Sequence, residues 1–164
     1  MAISNPFYLM AILYFVVDAI ALALLAFVTA GWLPAIPALS WLRIHLLTVG
    51  VVTQVILGAL PGLVAGKVGT TQPGSRTIGA TWLLLNVSLV GLLVGMPGGG
   101  AVLAAGSAAG VLVAAGLVGF SIYQWGAGPS FGRRADARLY AAAFVFLLFG
   151  LLFALSMLLG WPAP

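Results

Sequence analysis

The single histidine is the residue in this sequence whose chemistry is most specific. His45 is the only histidine in 164 residues, and Arg43 lies two positions before it. A neutral imidazole binds haem iron through a ring nitrogen, and a cation nearby suits the haem propionates. A lone histidine near a helix end is also often an interfacial side chain that only forms hydrogen bonds. From the spacing alone, a haem ligand and a hydrogen-bonding residue both remain open.

The second candidate for chemistry is Asp18, which lies within a long apolar stretch. A carboxylate in the middle of a membrane helix costs about 2.5–3.5 kcal/mol unless it is paired or protonated. Asp18 could relay protons or act as a counter-ion in a cavity, or it could be a neutral group bonded to Gln54 or Asn86. We expect it to lie deeper in the membrane than His45, so that the two form no acid–base pair.

Composition excludes most other kinds of site. The chain has no cysteine, which removes disulfides, iron–sulfur clusters and thiolate metal sites. One histidine cannot supply a three-histidine copper or zinc site within a single chain. The net charge of +4 comes from only six scattered cations, so we expect no nucleic-acid partner.

The elements that must position these residues are membrane helices. The chain is 63% hydrophobic and 5% charged, with a mean hydropathy of +1.25, whereas soluble domains are about 25% charged. A membrane helix needs about 20 mostly apolar residues. The sequence therefore predicts an all-α, polytopic helix bundle in the lipid bilayer, as one domain over residues 1–164. The five predicted transmembrane helices span residues 7–29, 39–66, 78–95, 101–124 and 137–159.

The basic residues predict the orientation of the chain in the membrane. Five spans place the N-terminus, the second loop and the fourth loop on one side. That side holds five cations, namely Lys67, Arg76, Arg133, Arg134 and Arg138. Arg43 lies on the other side. By the positive-inside rule the N-terminus is cytoplasmic and the C-terminus is outside, in a multi-pass protein of the cell membrane.

The second predicted helix carries His45 and also a series of small residues. At 100° per residue, one helix face contains His45, Thr48, Val52, Ile56 and Ala59. The nearly opposite face contains Gly50, Gln54, Gly58 and Gly62. Glycines at this spacing let another helix approach closely in lipid, which leaves the histidine face for a ligand. We therefore predict that a cofactor would contact His45, Arg43 and Thr48.

The stretch that begins at His45 is also similar to a helix of a known family. The second transmembrane helix of the haem-copper oxidase subunit I superfamily resembles the run His45–Leu46–Leu47–Thr48–Val49–Gly50 followed by Thr53, Gln54, Ile56 and Gly58. Residues 80–87 and 138–143 resemble the small oxidase-like members more weakly. The resemblance implies that His45 matches the axial ligand of the low-spin haem.

The sequence departs from that family in size and in its ligands. The oxidase subunit consists of three four-helix modules with pseudo-threefold symmetry and several histidines, whereas this chain has five predicted helices and one histidine. One copy cannot form a complete oxidase, but three copies around a threefold axis could rebuild the arrangement. We therefore expect a homo-oligomer, in particular a homotrimer. The sixth iron position could be filled by a second copy's His45, filled by a methionine (Met10, Met96 or Met157), or left open.

The leading functional hypothesis is a haem b-binding membrane protein that resembles one module of the oxidase. It would transfer electrons with an unidentified redox partner or bind a diatomic gas such as O₂ or NO, and whether it is an enzyme stays open. One alternative is a haem-free transporter or channel with Asp18, Gln54 and Asn86 along a polar path. Another is a structural subunit of a membrane complex.

The fourth predicted helix is rich in small residues that suit close helix packing. Its GxxxG-type pattern is formed by Gly106, Gly110, Gly116 and Gly119. Such patterns bring helix backbones together in membranes. The sequence leaves open whether the partner helix belongs to the same chain or to another copy.

Overall fold

The protein is described by a computed structural model over residues 5–69, 74–98, 100–126 and 135–159. These residues form helices joined by turns and short irregular segments, and no β-strand occurs among them. The all-α prediction is therefore confirmed for the part of the chain that the structure describes. Arg133 and Arg134, used above to predict the orientation, lie outside these residues.

The helices follow the predicted order closely. The first, α1, spans Pro6–Thr29. The second, α2, is continuous but has three parts: α-helical Leu39–His45, π-helical Leu46–Val52 and α-helical Thr53–Val68. The remaining three are α3 (Ser75–Gly95), α4 (Ala101–Gly126) and α5 (Ala135–Leu158).

Four helices, α1 to α4, are long and apolar enough to cross a membrane. Their most apolar windows have mean hydropathies between 1.9 and 2.6. In α5, the part of the helix that qualifies as apolar among the described residues is Ala142–Ser156, which is shorter than a bilayer requires. The structure thus supports a membrane protein with four candidate spans, and a fifth crossing by α5 stays a prediction.

The contacts divide the chain into two compact units, Met1–Gly58 and Ala59–Pro164. The first unit contains α1 and the first two thirds of α2. The second unit contains the end of α2 together with α3, α4 and α5. The prediction of a single domain stays a prediction.

In the first unit, α1 begins at a well-formed cap. The Asn5 side chain accepts a hydrogen bond from the backbone N–H of Phe7 at 3.1 Å, and Pro6 occupies the first helical position, where its missing N–H costs nothing. The Asn5 amide also donates to the Gly58 carbonyl of α2 at 2.8 Å. One side chain therefore starts α1 and ties it to α2.

The two helices pack through the glycines that the sequence predicted to be contact points. A methyl group added at Gly50 would lie 2.9 Å from Cγ of Tyr14, and one at Gly58 would lie 2.8 Å from Cβ of Phe7. The α1 residues that are buried recur every three or four positions: Phe7, Ala11, Tyr14, Asp18 and Ala21. This spacing forms one helix face, and it is the face that meets α2.

The middle part of α2 differs from the ideal α-helix that the helical wheel assumed. Within Leu46–Val52 the hydrogen bonds join residues five positions apart, and the segment ends where both the amide and the hydroxyl of Thr53 donate to the Thr48 carbonyl. A π-helix has more residues per turn than an α-helix. Around this segment Gly50 and Gln54 are buried while Thr48 and Val52 are exposed, and the other residues of the two predicted faces are half-buried.

In the second unit, α3 and α4 pack against each other along small residues. A methyl group at Gly95 would lie 2.9 Å from the backbone nitrogen of Ala104, and one at Gly110 would collide with the Ser88 hydroxyl. Gly119 lies against the Phe144 ring of α5. These glycines therefore serve contacts within one chain.

The other two predicted packing glycines of α4 behave differently. A methyl group at Gly106 or at Gly116 would meet no atom within 4 Å among the described residues. Neither position is therefore in close contact with another described helix.

Candidate functional site

His45 is held in a defined orientation at the end of the first part of α2. Its Nδ1 atom lies 2.9 Å from the carbonyl oxygen of Trp41, one helical turn earlier. Because a carbonyl oxygen only accepts hydrogen bonds, Nδ1 must carry the proton and donate it. Nε2 is then the unprotonated ring nitrogen, with a lone pair available to a metal or to a donor.

The Trp41 side chain also restrains the imidazole. The two rings stack with centroids 4.0 Å apart and an interplanar angle of 26°. Stacking covers a face of the imidazole, whereas a metal binds in the ring plane at Nε2. The half-buried His45 is therefore fixed by Trp41 without losing the atom that would act as a ligand.

Arg43 forms an ion pair with Asp18 across α1 and α2. Its Nε atom lies 3.3 Å from Oδ1 of Asp18, and the two side chains are 23% and 9% exposed. The Nε–H does not meet hydrogen-bond geometry toward that oxygen, so the contact is electrostatic. A buried carboxylate with a cation beside it is far less costly in a membrane than an isolated one.

This pairing differs from what the sequence suggested for Asp18. One of the two sequence-based alternatives bonded Asp18 to Gln54 or Asn86, whereas the structure brings it to Arg43, two residues before His45. The depth of Asp18 relative to His45 stays a prediction. The contact follows from the packing of Tyr14 on Gly50, because Asp18 lies four positions after Tyr14 and Arg43 lies seven before Gly50, on the same helix faces.

Thr48 is already engaged by its own helix. Its hydroxyl donates to the Ile44 carbonyl at 2.7 Å, and the residue is exposed. Hydroxyl groups inside helices commonly form this bond to the preceding turn. A role for Thr48 in binding a cofactor stays a prediction, with Ile44 as the competing acceptor.

The polar residues of the alternative transport path belong to different units. Gln54 is fully buried in the first unit. Asn86 is buried in α3 of the second unit, where its Nδ2 donates to the Trp82 carbonyl at 2.7 Å. Asp18, the third residue of that path, is held by Arg43.

Iron ligands other than His45 are scarce in the described part of the chain. No group of three or more His, Cys, Asp or Glu side chains occurs there that could hold a metal ion. Met10 and Met96 are half-buried, and the side chain of Met157 lies outside the described residues.

The chain was compared with known protein families, with curated proteins and with solved structures, and no match was found. The similarity of the His45 region to the haem-copper oxidase superfamily accordingly stays a prediction.

Proposed function

We propose that this membrane protein binds haem b, with Nε2 of His45 as an axial ligand. The hydrogen bond from Nδ1 to the Trp41 carbonyl carries this proposal. Histidines that bind metals almost always donate their other ring N–H to a carbonyl, carboxylate or water, which fixes the tautomer and makes the ligand more basic. The π-helical segment that follows His45 directly is a further supporting feature, because π-helical turns are frequent at functional sites.

Arg43 fits the role of a partner for a haem propionate even though it already pairs with Asp18. A guanidinium carries five N–H donors in one plane, and its contact with Asp18 is made through Nε. The terminal nitrogens are therefore the groups that would face a propionate. In this arrangement Asp18 acts as a positioning residue, because it holds the guanidinium beside the helix that carries His45.

A bound haem would supply a one-electron couple or an iron position for a diatomic gas. The protein would accordingly transfer electrons or bind O₂ or NO, depending on whether a sixth ligand is present. His45 would supply one ligand, while Arg43 and Asp18 would balance charge beside it. We also propose that the N-terminus is cytoplasmic and the C-terminus outside, because Lys67 and Arg76 lie in the helix ends beside the loop that this orientation places inside.

The test is an absorption spectrum of the purified protein from haem-replete cells. We expect a Soret band that His45→Ala removes and that the matched variant Thr48→Ala retains if the Thr48 hydroxyl serves only the Ile44 carbonyl. Circular dichroism of each variant would verify that the helices are intact. A wild-type protein that is folded and has no Soret band would end the proposal.

A second candidate function is transport centred on the charge pair, without haem. The observation that favours it is the burial of Asp18 and Arg43 between two apolar helices, since intramembrane charges often mark ion or proton pathways. In proteoliposomes, Asp18→Asn should then abolish a proton-coupled flux. If the flux is absent from the wild type as well, transport is excluded, and the haem spectrum decides the first proposal independently.

A further inference from the structure

The depth of the charge pair follows from the contacts between α1 and α2 within the first unit. Phe7 contacts Gly58, Tyr14 contacts Gly50, and the long Arg43 side chain, seven positions before Gly50, reaches Asp18, four positions after Tyr14. As the residue number rises in α1 it falls in α2, so the two helices are antiparallel. The contacts also set their relative height along the helix axis.

Asp18 lies at the centre of the apolar stretch of α1. It is eleven positions from Phe7 and eleven from Thr29, or about 16 Å each way at 1.5 Å per residue. That total matches the roughly 30 Å hydrocarbon core of a bilayer. Since the residues on either side of Asp18 are almost all apolar, α1 fits the membrane best when the charge pair lies near the midplane.

The helix α2 consequently begins inside the membrane. Leu39, its first residue, is four positions before Arg43, or about 6 Å above the charge pair. The end of α1 at Thr29 is about 16 Å above the same level. Residues 30–38 therefore connect the surface end of α1 to a point several ångströms deeper in the membrane.

The amino-acid composition of residues 30–38 suits a position within the lipid leaflet. The segment contains no charged residue, and Trp32, Leu33 and Ile36 are exposed, with Trp32 at 75%. Apolar side chains directed outward from a connecting segment would be unfavourable in water. A tryptophan is especially common where the hydrocarbon meets the headgroups.

Most of the backbone N–H groups of this segment either have a hydrogen-bond partner or are absent. The N–H groups of Ala30, Gly31, Trp32 and Leu33 donate to carbonyls in the last turns of α1 at 2.9–3.3 Å. Pro34 and Pro37 have no N–H group. Irregular backbone is tolerated at membrane depth only when its polar groups have partners, and most of the donors here are either bonded or missing.

We propose that residues 30–38 insert among the lipid acyl chains of the leaflet in which α1 ends. The segment lies between the end of α1 and the first turn of α2, above the level of the Asp18–Arg43 pair. Its partner is the acyl region just beneath the headgroups. This inference does not depend on haem.

Spin labelling tests the insertion directly, because the chain has no cysteine and single cysteines can be introduced without a background. Ile36→Cys and Ala35→Cys report on the segment. Ser75→Cys, which is exposed beside Gly74, is the matched control in a more polar part of the chain. Each labelled full-length protein is reconstituted in phosphatidylcholine vesicles.

The measurement compares collisions of each label with oxygen, which concentrates in lipid, and with a water-soluble nickel chelate. At Ile36→Cys and Ala35→Cys we expect the ratio of oxygen to nickel accessibility to exceed that at Ser75→Cys at least several-fold. Using two sites guards against a local effect of one substitution. A nickel accessibility at either segment site equal to that at Ser75→Cys would overturn the proposal.

Discussion

At the level of single residues, the ion pair between Asp18 and Arg43 determines the role of both side chains. Alone, each charge would be costly within a membrane span. Together they form an ion pair at 3.3 Å that leaves Asp18 nearly buried. The pair links α1 to α2 two residues before His45, so it holds the start of α2 in place as well as balancing charge.

The charge pair makes its two residues energetically dependent on each other. Asp18→Asn should destabilise the protein by about 2–3 kcal/mol, because it leaves Arg43 without its counter-ion at membrane depth. Arg43→Gln should destabilise the protein by a similar amount, because it leaves the Asp18 carboxylate without its cation. The double variant should recover part of the loss, since no uncompensated charge then remains.

A double-mutant cycle in detergent micelles measures this coupling. The free energies of unfolding of the wild type, both single variants and the double variant are compared in the same denaturant series. Strictly additive losses would mean that the two side chains do not interact in solution.

At the level of helices, glycine determines how closely α1 and α2 approach. Tyr14 and Phe7 occupy space that a side chain at Gly50 or Gly58 would need. Close approach increases van der Waals contact, which is the main attraction between helices in lipid. The π-helical segment Leu46–Val52 contains Gly50, so this close approach falls within it.

Two glycines of α2 should respond to alanine in opposite directions. In Gly58→Ala the new methyl would lie 2.8 Å from Cβ of Phe7. That atom is next to the α1 backbone and cannot easily move, so we expect a loss of about 1–3 kcal/mol. In Gly66→Ala nothing lies within 4 Å, and removal of a flexible glycine should stabilise the helix by about 0.5–1 kcal/mol.

Thermal or denaturant unfolding of both variants in the same detergent checks this prediction. Helical circular dichroism serves as the probe, and Gly66→Ala is the control for any general effect of added alanine. Equal effects of the two substitutions would show that α1 does not pack on Gly58.

At the level of the whole molecule, the single histidine per chain favours an assembly of several copies if the proposed haem has two histidine ligands. One chain supplies one histidine, so any second histidine ligand must come from another copy. Gly106 and Gly116 of α4 face no described atom, and small residues of this kind allow close contact between membrane helices.

We predict that the protein forms a homotrimer. Native mass spectrometry in a mild detergent should show a three-copy species with a fixed haem content per chain. Gly106→Leu, at a position with free space around it, should weaken the association without unfolding the helices if α4 lies at the contact. A stable monomer in the wild type would exclude the trimer.

The positions of the helices could be predicted from the sequence because hydropathy is a local property. Runs of apolar residues specify spans wherever they occur, and the structure has α1 to α4 within a few residues of the predicted ranges. The π-helical turn after His45 could not be predicted in this way. Its hydrogen bonds depend on how α2 packs, which a helical wheel does not contain.

The candidate site was predictable only in part. His45, Arg43 and Asp18 could be identified from the sequence because so apolar a chain contains few other reactive side chains. The pairing of Asp18 with Arg43 depended on the antiparallel register of two helices, and the ring nitrogen of His45 that donates to a backbone carbonyl was not evident before the Trp41 carbonyl was located.

The sequence by itself determined that the chain is helical and suited to a membrane, and it restricted any chemistry to a few residues. A backbone surrounded by lipid must satisfy its hydrogen bonds internally, and a long apolar run does so by forming a helix whatever its neighbours. Only the tertiary structure decided which charges meet, which glycines are contact points and which nitrogen of His45 is free to bind. Those outcomes depend on distances of a few ångströms between residues that are far apart in sequence, and composition does not encode them.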